Sequence, residues 1–98
     1  MDFSLKDLRA FAVRNRVEVT FHVRATDAAW MVNRRGLVAR PSIGDSTLAG
    51  VEETLEAADA FVVEGGKEPR QHLAREQFIE LMAARVAAAG ADRRQDDA

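Results

Sequence analysis

The chain has 98 residues, 47% hydrophobic and 31% charged, a balance that supports one folded domain and argues against two domains or wholesale disorder. It has no cysteine, which excludes a disulfide framework, thiol catalysis and cysteine-ligated zinc. The formal net charge is -2, but residues 1–44 carry eight Lys/Arg against four Asp/Glu, and residues 45–98 carry six against twelve. A chain polarised in this way pairs its halves with each other, with a second copy or with a charged partner.

Leu5, Leu8, Phe11 and Ala12 recur at helical spacing, and Ser4 with Asp7 three residues on has the form of a capping box. The period then changes. Val17, Val19, Phe21 and Val23 alternate with Glu18, Thr20, His22 and Arg24, which predicts a half-buried strand. Ala25-Thr26-Asp27 is a turn, and a second strand follows through Ala29, Trp30, Met31 and Val32. Asn33-Arg34-Arg35-Gly36 reads as a hairpin loop, with Gly36 able to take a positive φ. A third strand runs from Leu37 to Arg40 and ends at Pro41.

A loop to Gly50 leads into a second helix, with Leu48, Val51, Leu55 and Ala58 as its apolar stripe and Glu52, Glu53 and Glu56 near its start. Phe61-Val62-Val63 predicts a short fourth strand, and Glu64 to Arg70 a flexible connector. The last helix starts near Arg75, with Leu73 and Phe78 spaced as a hydrophobic staple and Gln77 at the box position. Gly90 is expected to stop it, which gives one domain over 1–90 and a flexible tail over 91–98.

The expected fold class is α+β, in the order α-β-β-β-α-β-α. It is a three-stranded antiparallel meander plus a short fourth strand, with helices mainly on one face. The expected core takes Leu5, Leu8, Phe11, Val17, Val19, Phe21, Val23, Trp30, Val32, Leu37, Leu55, Phe61, Val63, Phe78, Leu81 and Met82. The N-terminal stretch lacks the basic start and apolar run of a secretory signal, and no stretch approaches the roughly 20 apolar residues that cross a bilayer. No membrane association is expected, and the expected location is cytoplasmic.

Ile43-Gly44-Asp45-Ser46-Thr47-Leu48-Ala49-Gly50 resembles the nucleophile block of the GDSL or SGNH esterases, over about eight residues. The resemblance implies Ser46 as nucleophile of a small hydrolase. The chain departs from the rest of that family's pattern. Neither histidine, His22 or His72, follows an aspartate by three, and no Gly-x-Asn-Asp block is present. A serine without a positioned base is a weak nucleophile. Gly65-Gly66-Lys67 lacks the Ser/Thr and the spacing of a phosphate loop. Two histidines fifty residues apart carry no metal-ligand spacing. No catalytic set, metal site, cofactor or small-molecule substrate is therefore expected.

Two binding readings remain. The basic half offers Arg24, Trp30, Arg34, Arg35 and Arg40 as a binding surface. Arg34 and Arg35 sit at a hairpin tip and Trp30 provides a stacking ring. The helix-then-meander order resembles the start of a double-stranded-RNA-binding domain, although that family's Gly-x-Gly and Lys-Lys motif is absent. The other reading is a non-enzymatic protein-interaction domain that self-associates as a homodimer. It would use a sheet edge, a mixed sheet face of Thr20, His22, Arg24, Ala29, Met31 and Val38, or the small side chains from Ala83 to Ala89. The protein-interaction reading is the expected function, and nucleic-acid binding is its competitor.

Overall fold

Ser4 starts the first helix as its sequence predicts. Its Oγ accepts from the Asp7 N–H at 3.1 Å, and its own N–H donates to Asp7 Oδ2 at 2.9 Å. The structure, a computed structural model, describes residues 2–40, 50–66 and 68–96, the side chains of 68 and 86–96 excepted. The elements are α1 (Leu5–Asn15), β1 (Val17–Val23), β2 (Ala28–Val32), β3 (Val38–Ala39), α2 (Val51–Ala57), β4 (Ala60–Gly65), β5 (Glu68–Ala74) and α3 (Arg75–Asp96). The fold is α+β, with an antiparallel five-stranded sheet in the order β3-β2-β1-β4-β5. The expected order is present with one strand added.

That added strand corrects the reading of Glu64 to Arg70 as a connector. β4 runs on to Gly65, the chain turns, and β5 returns along β4. Gly65 and Gly66 take φ of 115° and 67°, left-handed values open to glycine. β5 escapes sequence reading because it is an edge strand with one neighbour. It tolerates Pro69 and needs little apolar alternation; Leu73 packs inward against the core. A second correction concerns α3, whose backbone stays helical past Gly90 to Asp96.

Register decides the core. Phe21 lies opposite Trp30 on β2 and Phe61 on β4, while Val19 lies opposite Val32 and Val63. Directly opposed residues share a face. This set joins Leu8, Phe11 and Ala12 of α1, Leu55 of α2 and Phe78 of α3 in one buried cluster. Phe3, which the helical and strand periods do not reach, completes it. Its ring meets Phe78 edge-on at 5.6 Å, and Phe61 and Phe78 stack at 4.5 Å. All five phenylalanines of the chain meet here.

The alternate set, Glu18, Thr20, His22, Ala29, Met31, Ala39, Ala60, Val62, Glu64, His72 and Ala74, contains no buried residue. Val38, expected on the open face, belongs with the core side because it pairs with Val32, and Ala39, opposite Met31, stands on the open face instead. Leu37 is expected in the core but is 53% exposed. It closes the hairpin opposite Asn33, one step out of phase with Val38. Among the described residues, no helix is long and apolar enough to cross a membrane.

Candidate functional site

The five residues singled out from sequence occupy separate places. Arg24 follows β1, where its backbone N–H donates to Asp59 Oδ1 at 3.0 Å and its Nε to Oδ2 at 3.4 Å. The Arg24 N–H holds the Asp59 carboxyl below the usual aspartate range. Trp30 sits on the core side of β2, half-buried, with the Arg40 guanidinium 5.2 Å from its ring centroid. Arg34 and Arg35 are neighbours in sequence whose side chains part. The Arg34 guanidinium reaches Gly65, where an added Cβ would stand 3.2 Å from Nη2. Arg35 lines a recess against α1. Only Trp30 and Arg40 touch one another.

That recess gathers cations of α1 that the expected binding surface does not include. Lys6, Arg9, Ala10, Val13 and Arg14 form a stripe at helical spacing on α1, away from the Leu8 and Phe11 side. Arg35 and Gly36 of the β2–β3 turn close it, at a volume of about 360 Å³. The turn is self-organised: Asn33 Oδ1 accepts from the Arg35 N–H at 2.9 Å and the Leu37 N–H at 3.1 Å. It is also pinned to α1. Arg9 Nε donates to the Gly36 carbonyl at 2.6 Å, and a Cβ on Gly36 would stand 3.0 Å from Val13 Cγ2. With φ of 79° as well, Gly36 has two reasons to be glycine.

Among the described residues, no acidic side chain lines the recess. Among the described residues, ion pairs join Arg24 to Asp59, Arg70 to Glu64 and Arg75 to Asp2. None involves Lys6, Arg9, Arg14 or Arg35. The same holds for Glu52, Glu53 and Glu56, which are exposed on α2. Val13, in the middle of the cationic stripe, is 48% exposed.

A second recess, of about 510 Å³, opens between the end of α1, the β4–β5 turn and α3. Phe11, Val17, Val63 and Leu81 line it with Arg14, Arg16 and Arg85, again without an acidic side chain among the described residues. Arg16 holds a left-handed backbone (φ 55°, ψ 43°), and its N–H caps the Ala12 and Val13 carbonyls. A third, of about 290 Å³, brings His22 and His72 to one depression with Arg24 and Asp59. Fifty residues of sequence hide this juxtaposition. β4 lies between the two histidine strands, so the backbones are about 10 Å apart at the usual strand spacing. Among the described residues, no three His, Asp or Glu side chains group as metal ligands.

Ser46 and the esterase-like segment from Ile43 to Ala49 lie outside the described residues. Of the alanine-rich stretch in α3, Ala83 and Ala84 are exposed, and the side chains beyond Arg85 lie outside the description. Comparison with known proteins gives no match, whether to a protein-family model, a curated protein or a solved structure.

Proposed function

We propose that this is a non-enzymatic protein-interaction domain that associates with a second copy of itself. The cationic surface of α1 and the β2–β3 turn meets the acidic surface of α2 in the partner. One observation carries the reading: folding leaves both charged stripes without ion pairs among the described residues. Both helices pack on β1 and β2, so the two stripes belong to neighbouring elements. A two-fold axis would set each stripe on its opposite and form the contact twice. Exposed ion pairs contribute only about 0.2–1 kcal/mol each. Exposed Val13 adds apolar area at the centre. The association is therefore weak and salt-sensitive. The overall charge of -2 and the acids on α2 disfavour a phosphate backbone on the same side.

Sedimentation velocity over a range of concentrations and salt tests this. The wild type dimerises at low salt and dissociates as salt rises. Lys6→Glu/Arg35→Glu weakens the dimer by about tenfold or more, a loss of about 1.4 kcal/mol. Glu52→Lys/Glu53→Lys does the same, and a chain carrying all four changes recovers the dimer. A protein that stays monomeric throughout overturns self-association. A dimer indifferent to all four changes overturns the helix surface and points to the open sheet face or the β5 edge. Salt-sensitive binding of labelled RNA or DNA that Lys6→Glu/Arg35→Glu abolishes would replace the reading with a nucleic-acid surface.

A further inference from the structure

We infer that the recess between the end of α1 and the β4–β5 turn binds a small amphipathic anion, a phosphate or carboxylate head on a short apolar body. The recess has two chemically distinct parts. Phe11, Val17 and Val63 belong to the buried core and Leu81 packs on it, so the floor is apolar. The rim carries Arg14 and Arg16. The Arg34 guanidinium approaches Gly65, a residue of the rim, and its planar fork is suited to a carboxylate or phosphate.

Three further features fit an anion. Among the described residues, no acidic side chain lines the recess. Of the carbonyls at the end of α1, which would repel negative charge, those of Ala12 and Val13 are capped by the Arg16 N–H and that of Phe11 accepts from Asn15 Nδ2. The turn that borders it has no side chain at Gly65 or Gly66, so the opening stays clear. A head without an apolar body would leave the floor wet, and an apolar body without a charge would leave the arginines unused. The class that satisfies both is an alkyl phosphate or a short-chain carboxylate.

Isothermal titration calorimetry with hexyl phosphate and hexanoate tests this, with inorganic phosphate and hexanol as controls. Either amphipathic anion should bind at least about tenfold more tightly than inorganic phosphate and hexanol, a gap of about 1.4 kcal/mol. Whichever of the two binds identifies the head group. Amide shifts in NMR spectra should move at Phe11, Gly65 and Gly66. Arg16→Asn, which keeps a residue at ease in the left-handed region, should weaken binding several-fold, and Arg14→Gln/Arg16→Asn should weaken it further. The inference is overturned if neither amphiphile binds, if inorganic phosphate or hexanol binds as well as both, if the shifts fall elsewhere, or if the folded Arg16→Asn protein binds like the wild type. Lys6 and Arg35 do not line this recess, so dimer-breaking changes there leave the titration unchanged.

Discussion

On β1, Val17, Val19 and Phe21 are buried, while Glu18, Thr20 and His22, each one residue away, are only half-buried. The same contrast runs across the sheet. On one side lie the stacked phenylalanines and the buried side chains of all three helices. On the other lie Ala29, Met31, Ala60 and Val62 among histidines and charges, with nothing fully buried. The difference shows that stability and surface chemistry are written on the same strands in alternating letters. Changes on one side should cost folding, and changes on the other should leave it nearly intact.

The sharpest test uses adjacent residues of β4. Phe61→Ala should destabilise by about 3–5 kcal/mol, because it empties the centre of the aromatic cluster. Val62→Thr, next to it, should cost less than about 1 kcal/mol. Urea denaturation measures both, and equal costs would refute the asymmetry. Arg75 extends the core side with a charge. Its Nη1 donates to the Leu55 and Ala58 carbonyls at 2.9 and 2.7 Å, and its guanidinium lies 5.2 Å from the Phe3 ring centroid. Arg75→Met should cost about 1.5–3 kcal/mol by leaving those carbonyls without a charged donor. A thermal melt indistinguishable from wild type would show that the end of α2 does not depend on it.

A smaller effect than that of Arg75 lies at the start of α1. Ser4→Ala should cost about 1 kcal/mol through loss of the capping bond. The Ser4 backbone N–H, and then its hydroxyl, hold the Asp7 carboxyl below the usual aspartate range. A carboxyl depressed in the folded state stabilises above its unfolded pKa, and that contribution is lost as pH falls through the folded value. The cap should therefore hold at neutral pH and weaken below about pH 4. An NMR titration should find the Asp7 pKa lower in wild type than in Ser4→Ala.

Sequence reading reached the elements whose patterns are local. The Ser4 box, the alternation from Val17 to Val23 and the start of α3 at Arg75 each repeat a short-range rule. The Gln77 side chain accepts from the Ala74 N–H at 2.8 Å, as its box position implies. β5 was illegible because an edge strand is held by its neighbour rather than by its own pattern. Phe3 carries no periodic signal, because it stands outside any regular segment, in a bend before the cap. The expected binding surface groups residues that are close in sequence. The structure instead set Arg35 with Lys6, Arg9 and Arg14, residues already visible as the non-core stripe of α1.

By itself, the sequence determined the α+β class, the N-terminal caps of α1 and α3, most of the core and the division of charge between the halves, because each follows from composition or from periods of a few residues. Only the tertiary structure decided that β1 stands at the centre of the sheet and that Arg9 fastens the β2–β3 turn to α1. It also decided that Arg14 and Arg16 border a recess with an apolar floor. Those outcomes depend on which strands pair and where long side chains reach, and no short-range pattern in a single chain encodes either.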